Sequence, residues 1–339
     1  MLISGAGGTI ANNMIRALNT SSLNVRTVGV EADPYYRHLS TSNIVYEVPR
    51  ASDDPYPDAL DEIARSEGVD LILPSNGWEV KSIAKNLDSL SAATILPSSA
   101  TIELMQDKWK LYEQLSNSDV PVPKTILLQS PKDVNQGLAT IETPDYWVRG
   151  TGIKDVPGRK IQSEQLIIEW INDIGGWGEF TMSSHLSGQD LTWLGIFDGG
   201  KLITSQARQR LAYGQSTSWG VGAPSISVTI QRDDVNTIGE AAIRTIDDCP
   251  HGVYFTDMRE DDQGTPHVTE INPGRFGTTS SRFYPEADFN VVDVLVRVAL
   301  DYPIQDMPRY DVIESGTHFI NKCGVDPVIL TKENIQYES

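Results

Sequence analysis

The chain has 339 residues, a formal net charge of −19 and two cysteines. Apolar residues make up 39% and charged residues 22%, a composition typical of a folded chain of about two domains. The negative charge argues against nucleic-acid and anionic-membrane partners, because a polyanion would be repelled over most of the surface. Cys249 and Cys323 cannot form a disulfide scaffold, and the sequence has neither a membrane-span pattern nor a signal-peptide pattern. We therefore expect a cytoplasmic protein.

The first hundred residues alternate short apolar runs with helical patterns. A glycine-rich turn follows the first run, and a second helical pattern ends near Gly68, a suitable C-terminal cap. Strands are predicted at 1–4, 27–30, 44–48, 69–73 and 93–96. Strand–helix alternation of this kind predicts an α/β unit with a parallel sheet between helices.

The pattern changes near residue 98. A helix is predicted over 101–115, and prolines at 121 and 123 precede a strand at 124–128. From Trp147 onward the spacing is typical of antiparallel sheets, with a hairpin turn at Gly199-Gly200. Strands are predicted at 179–184, 191–197, 201–206, 225–230, 253–258 and 267–271. Helices are predicted at 235–246 and 291–300, and the end of the chain is polar.

The glycine-rich turn at residues 5–8 is a candidate phosphate-binding loop. Gly5 and Gly7 fit the dinucleotide fingerprint, but the sixth position is Ile10. Glu31 ends the second strand, where a ribose-binding acid would lie. The match is partial, so the sequence favours a tight turn that binds no nucleotide.

The stretch 253–275 carries a stronger signal. Glu270 and Asn272 are two residues apart in a strand and share a face, and a hairpin brings Asp257 beside them. Two carboxylates and an amide oxygen form a hard site suited to Mg²⁺. Arg275 adds a cation that can grip an anion.

The alternative interpretation of this stretch is a solvated acidic hairpin. It accounts for Asp261 and Asp262, which occupy the turn. It accounts poorly for Glu270, which lies in a largely apolar strand. A functional site is therefore favoured.

The run Glu-Ile-Asn-Pro-Gly-Arg at 270–275 resembles the metal-binding end of the ATP-grasp superfamily. The pattern is similar to the ATP-grasp half of the carbamoyl phosphate synthase large chain and its stand-alone carboxylate–amine ligase homologues, over nearly the whole chain. The resemblance implies a Rossmann-like pre-ATP-grasp domain over 1–98, followed by a two-lobed grasp domain of α+β type with antiparallel sheets. Its lobes would span 99–168 and 169–320, with a polar tail over 321–339.

Individual motifs extend the resemblance. Asp107-Lys108 matches the pair that opens the grasp domain, and Arg149 matches the strand where a cation meets the nucleotide phosphates. The segment around Glu179 resembles the one that places a glutamate on the ribose hydroxyls. The adenine hinge would then be Glu169, Trp170, Ile171 and Asn172.

The resemblance also implies roles for cations and ligands. ATP and Mg²⁺ are the implied cofactors, with Mn²⁺ as an alternative metal. Asp257, Glu270 and Asn272 would hold the metal, and Arg275 would stabilise the transferring phosphoryl group. The implied phosphate-binding residues are Lys108, Arg149, Lys154 and Lys160. The family's glycine-rich flap has only three glycines here, over 150–160, which leaves open which of its cations reaches phosphate.

Four further residues are candidates for the second substrate. Arg208 and Arg210 alternate on a predicted strand and could receive a carboxylate or phosphate, although an exposed strand face explains them equally well. Arg282 follows the metal motif and could line the same cleft. Asn76 follows a buried strand, where capping of a helix is favoured over substrate contact.

These observations predict an ATP-dependent ligase that phosphorylates a small-molecule carboxylate and joins it to an amine. A near alternative keeps the fold and phosphorylates carbamate or bicarbonate, as in carbamoyl phosphate synthase. An NAD(P)-dependent oxidoreductase would use the glycine turn but leaves the 257–275 residues unexplained. A non-catalytic nucleotide-binding protein is the third alternative. The resemblance is also compatible with a homodimer.

Overall fold

The computed structural model describes residues 1–152, 156–213, 223–322 and 326–334. The first strands are β1 (Leu2–Ser4), β2 (Val28–Glu31), β3 (Ile44–Glu47), β4 (Leu71–Leu73) and β5 (Ala93–Thr94). They form one parallel sheet in the order β3-β2-β1-β4-β5. The accompanying helices are α1 (Thr9–Asn19), α2 (Tyr56–Glu67) and α3 (Gly77–Lys85). The predicted parallel sheet is confirmed.

The glycine turn between β1 and α1 is closed by the chain's own groups. The Gly7 N–H donates to the Glu31 carboxylate at 2.9 Å, and that carboxylate also accepts from the N–H groups of Ala32 and Asp33. A Cβ built on Gly7 would lie 2.2 Å from the carbonyl oxygen of Tyr36. The Glu31 carboxylate is therefore occupied by backbone N–H groups. This geometry favours the interpretation of residues 5–8 as a tight turn that binds no dinucleotide.

Gly7→Ala tests how tightly this turn is packed. The added methyl group would meet backbone rather than a movable side chain. We expect the substitution to lower the free energy of unfolding by about 1–3 kcal/mol. Denaturant unfolding of the variant measures the loss. Unchanged stability would show that the backbone of residues 36–39 can shift to accommodate the methyl group without loss of stability.

The middle of the chain forms a four-stranded antiparallel sheet. Its strands are β6 (Thr125–Leu128), β7 (Tyr146–Gly150), β8 (Arg159–Ile161) and β9 (Phe180–Ser184), in the order β6-β9-β7-β8. The helices of this part are α4 (Ser99–Gln106), α5 (Lys108–Leu115), α6 (Pro131–Thr140) and α7 (Glu164–Asp173).

The single helix predicted over 101–115 is two helices. The break is at Asp107, whose carboxylate accepts the N–H groups of Trp109 and Lys110 and caps α5. Lys108 thus becomes the first residue of α5, and its N–H donates to the carbonyl of Thr151, just beyond β7. The break therefore ties Lys108 to the four-stranded sheet.

The last part forms a seven-stranded antiparallel sheet. Its strands are β10 (Asp190–Asp198), β11 (Lys201–Tyr213), β12 (Pro224–Thr229), β13 (Gly252–Glu260), β14 (Pro266–Pro273), β15 (His318–Ile320) and β16 (Val328–Leu330). The order is β14-β13-β10-β11-β12-β15-β16. The helices are α8 (Asp233–Ile246), α9 (Ser280–Glu286) and α10 (Val291–Ala299). The segment expected to be a polar tail thus contributes β16 to the sheet. The domain boundaries stay predictions.

Apolar packing joins the first and last parts of the chain. Met14 and Leu18 of α1 share one buried cluster with Phe255 of β13, Phe283 of α9 and Leu295 of α10. This cluster holds α1 close to the start of α9, where the Asn13 side chain donates to the Thr278 carbonyl. Within the described ranges, no helix has both the length and the apolar character needed to cross a bilayer.

Candidate functional site

A cavity of about 1600 Å³ lies between the four-stranded and seven-stranded sheets. Its lining includes residues of β7, β8, α7, β11 and β13–β14, together with Lys108 at the start of α5. Sites for single small molecules usually have about 300–1,000 Å³. The cavity is therefore large enough for a nucleotide and a second small molecule.

The hairpin of β13 and β14 brings the predicted oxygen donors together. Asp257 is paired directly with Glu270, and a β-bulge follows this pair. Asn272 lies two residues beyond Glu270, and its amide donates to the Asp257 carboxylate at 3.4 Å. All three line the cavity. The sequence therefore identified three residues that form one cluster.

Three cations surround the Glu270 carboxylate. Lys108 Nζ lies 3.9 Å from Oε1, and Arg149 Nη1 lies 3.7 Å from Oε2. Burial alone would raise the pKa of Glu270, but Lys108, Arg149 and Arg275 outweigh it and hold that pKa below its ordinary value. The distances of 3.7–3.9 Å are longer than hydrogen bonds, so these cations remain able to contact another anion.

Asp257 has a different partner. Arg210 contacts its carboxylate and also lies 3.3 Å from Asp190. Tyr213 hydrogen-bonds to the same Asp190. Burial raises the pKa of Asp257 despite Arg210, and Glu270 and Asp190 add to the increase. Arg210 therefore balances two carboxylates at once.

Arg275 is oriented by its own turn. Gly274 has φ +72°, a conformation that favours glycine, and its missing side chain leaves room for Leu96. The guanidinium of Arg275 donates to the side-chain oxygen of Asn272 and, at 3.2 Å, to the carbonyl of Phe276. This anchoring fixes a cation beside the oxygen cluster.

The cluster has the chemistry of a magnesium site. No group of three or more His, Cys, Asp or Glu side chains in the described part of the chain is placed to hold a metal. The candidate trio instead has two carboxylates and one amide oxygen, and Mg²⁺ commonly takes one or two protein carboxylates and completes its shell with waters and substrate phosphates. Asp257, Glu270 and Asn272 therefore fit this ion when Arg210 yields part of its contact with Asp257 and Arg275 yields its hydrogen bond to the Asn272 oxygen.

The structure places the predicted adenine hinge inside a helix. Residues 169–172 lie inside α7, where the backbone groups are engaged in helical hydrogen bonds. Ile171 is buried in the core, and the Asn172 side chain accepts from the indole of Trp177. Glu169 and Trp170 line the cavity. Because their backbone groups are engaged in the helix, only their side chains are available to contact a ligand.

The link that joins the two sheets is the segment between β9 and β10. Ser184, His185, Leu186 and Asp190 line the cavity. The N–H groups of Ser184 and His185 donate to the carbonyls of Lys124 and Asp145, which fixes the path of this segment. These residues were missed. The sequence feature that could have indicated them is the polar stretch around Gly188, which separates two predicted strands.

The remaining predicted nucleotide contacts are dispersed. Glu179 is exposed and is not among the cavity-lining residues of the described chain. Lys160 lines the cavity, but its ammonium pairs with Asp145 at 2.7 Å. Lys154 lies outside the described residues. Arg149 and Lys108 are therefore the predicted phosphate-binding residues that the structure places beside the oxygen cluster.

The four predicted substrate residues separate into two pairs. Arg208 and Arg210 both line the cavity. Arg282 pairs with Glu286 at 2.7 Å and does not line the cavity. Asn76 caps α3, since its side chain accepts two backbone N–H groups, which is the role that the sequence favoured over substrate contact.

Asn76→Ala checks this capping role. Loss of the cap is expected to lower the free energy of unfolding by about 0.5–2 kcal/mol. Nucleotide binding should stay unchanged, because Asn76 does not line the cavity. Denaturant unfolding and calorimetric titration with ATP measure the two effects, and weakened ATP binding with unchanged stability would contradict the assignment.

No protein-family model matches the sequence, and no curated protein matches it either. Many solved structures are similar in fold, and three of them are compared with this chain. Carboxyaminoimidazole ribonucleotide synthase from Aspergillus clavatus, complexed with ATP, has 15% identity and a TM-score of 0.70, covering 94% of this chain and 81% of that one. L-amino acid ligase from Bacillus licheniformis has 13% identity and a TM-score of 0.69, with 94% and 78% covered.

The third is the biotin carboxylase domain of 2-oxoglutarate carboxylase from Hydrogenobacter thermophilus, in complex with MgADP, ADP and bicarbonate. It has 16% identity and a TM-score of 0.73, and the match covers 94% of this chain and 73% of that chain. At these identities the likeness concerns the fold alone.

Proposed function

We propose that this chain, which has the ATP-grasp fold, is an ATP- and Mg²⁺-dependent ligase that joins a carboxylate to an amine. One observation carries the proposal. The Asp257, Glu270 and Asn272 cluster lies beside Lys108, Arg149 and Arg275 in the lining of the cavity between the two antiparallel sheets. Oxygen donors for a metal and cations for phosphate thus meet at one place.

The arrangement of the cations supports binding of a triphosphate. Arg149 comes from β7 and is further held by a hydrogen bond to the Thr269 carbonyl of β14. Lys108 comes from α5, and Arg275 from the turn after β14. Three separate elements therefore bring positive charge to one point, where it would orient the outer phosphates and stabilise charge that develops during transfer.

The remaining subsites follow from the lining of the cavity. The segment 184–190 would hold the adenine end of the nucleotide, with Trp147 and Met258 as apolar walls. Mg²⁺, when bound by Asp257, Glu270 and Asn272, would offset the negative charge of the outer phosphates. The rest of the cavity, towards Arg208, would take the second substrate.

The proposed reaction has two steps. An oxygen of the substrate carboxylate attacks the γ-phosphorus of ATP, and the bond to the β-phosphate oxygen breaks, which gives an acyl phosphate and ADP. The amine nitrogen then attacks the carbonyl carbon, phosphate leaves, and the nitrogen loses a proton. The protein supplies no covalent nucleophile, so positioning and electrostatics provide the rate.

A release assay tests the function. Purified protein with Mg²⁺ and ATP is screened for ADP release against small carboxylates combined with ammonia or amino acids, and products are identified by mass spectrometry. An amide product with equal amounts of ADP and phosphate supports the ligase. Release with bicarbonate or carbamate alone indicates the carbamoyl phosphate synthase-like alternative.

The other two alternatives give different results. Nucleotide binding without ADP release across the screen would indicate a non-catalytic binding protein. Stabilisation by a nicotinamide cofactor, and not by ATP, in a thermal-shift assay would indicate an oxidoreductase. Cytoplasmic location and a homodimer stay predictions.

A further inference from the structure

Four neighbouring strands place four residues in one row, and three of them, Arg208, Asp257 and Glu270, line the cavity. Arg208 on β11 is opposite Thr192 on β10, Thr192 is opposite Asp257, and Asp257 is opposite Glu270. Directly opposed residues share a face of a sheet. Neighbouring strands are about 4.8 Å apart. The backbone of Arg208 therefore lies two strand spacings, or about 10 Å, from that of Asp257 in the oxygen cluster.

Arg208 is the buried member of this row. The residue is 1% exposed and lines the cavity. The guanidinium donates from Nε to the Thr192 hydroxyl at 3.0 Å and from Nη1 to the Thr279 hydroxyl at 2.9 Å. Two neutral hydroxyls thus fix its orientation without balancing its charge.

Aromatic rings form the other neighbours of Arg208. The guanidinium carbon lies 5.6 Å from the ring centre of Phe255 and 5.7 Å from that of Tyr284. Among the described residues, no carboxylate lies within salt-bridge distance of Arg208. The Tyr284 hydroxyl is also buried and has no hydrogen-bond partner in the described part of the chain.

The neighbouring Arg210 provides an internal comparison. It lies two residues along the same strand and is balanced by both Asp190 and Asp257. A buried guanidinium without a counter-charge is costly, because desolvation is not repaid by an ion pair. Burial accordingly lowers the pKa of Arg208. A buried, unpaired guanidinium in the wall of a cavity is typical of a site that binds an anionic ligand.

We propose that Arg208 binds an oxyanion of the second substrate, a carboxylate or phosphate group separate from the triphosphate of ATP. The description of this ligand as the second substrate rests on the proposed function. The substrate would span the cavity floor, with its reacting end near Asp257 and its anionic group on the fixed guanidinium. Arginine suits this role because its planar fork binds both kinds of oxyanion.

Thermal-shift titrations test the site without turnover. A non-hydrolysable ATP analogue with Mg²⁺ first occupies the triphosphate region, and its own stabilising effect reports on the proposed function separately. Inorganic phosphate or malonate is then titrated at constant ionic strength. If the analogue itself has no effect, the titration is repeated without it, so the two proposals can fail independently.

Three variants are compared with the unmodified chain. We expect saturable stabilisation by phosphate or malonate in the unmodified protein, loss of that stabilisation in Arg208→Met, and a weaker response in Arg208→Lys, which keeps the charge but loses the fork. Arg297→Met is the matched control, because Arg297 is a partly buried arginine paired with Asp293 outside the cavity, and it should keep the full response.

The apo protein gives a second readout. Because Arg208→Met removes an unbalanced buried charge, its melting temperature without anion should equal or exceed that of the unmodified chain. Stabilisation by malonate alone would identify a carboxylate site, and stabilisation by phosphate alone a phosphate site. Absence of saturable stabilisation in the unmodified protein, or an undiminished response in Arg208→Met, would overturn the proposal.

Discussion

Glu270→Gln is expected to lower ATP turnover by about a hundredfold or more while the fold is retained. Glutamine has nearly the shape of glutamate, so the packing of β14 is preserved. The substitution removes the negative charge that faces Lys108 and Arg149. Metal affinity should fall, and the three cations around residue 270 should lose their main counter-charge.

The kinetic signature separates a metal role from a purely structural one. ATP binding without metal should be kept or strengthened, because the freed cations attract phosphate, whereas the Mg²⁺ concentration needed for turnover should rise. ADP release measured across a Mg²⁺ series checks this result. Asp262→Asn is the control, since Asp262 is exposed in the turn of the same hairpin. Normal turnover with normal Mg²⁺ dependence in Glu270→Gln would contradict the site.

The oxygen cluster was predictable because its signal is local. Glu270 and Asn272 alternate within one strand, and a short hairpin returns the chain to Asp257. A charged residue in an apolar strand further indicated a function. The parallel sheet was predictable for the same reason, because each strand and its following helix show their periodicity within a few residues.

The hinge was placed at 169–172 by the resemblance of the segment around Glu179 to a family motif, and not by a periodic pattern in those residues themselves. Residues 166–171 are mostly apolar, but Ile167, Trp170 and Ile171 are the buried positions, which is helical spacing. Ser163 caps this helix by accepting the N–H of Leu166. The cap was visible in the sequence and would have favoured α7.

Other features depend on contacts that no local pattern encodes. The pairing of Arg210 with Asp190 and Asp257 requires the register of three strands. The burial of Arg208 likewise depends on how α9 covers β11, since Thr279 lies just before that helix. Sequence spacing placed the two arginines on one face but could not distinguish the balanced one from the unbalanced one.

Arg149→Met is expected to weaken the binding of a non-hydrolysable ATP analogue by about 10–100-fold. The guanidinium is largely buried, and its hydrogen bonds to charged groups are worth about 1.5–3 kcal/mol each. Methionine fills similar volume without the charge, and Glu270 keeps Lys108 as a partner, so the fold should survive. Isothermal titration of the analogue with Mg²⁺ measures the change, and circular dichroism verifies the fold.

Lys160→Met provides the matched comparison for Arg149→Met, because both residues were predicted to bind phosphate. The Lys160 side chain is 44% exposed and already paired with Asp145, so removing it should change the affinity by less than about threefold. A large loss for Lys160→Met with little loss for Arg149→Met would move the phosphate subsite to the rim of the cavity. The triphosphate would then lie away from Glu270, and the metal role of the hairpin would fail with it.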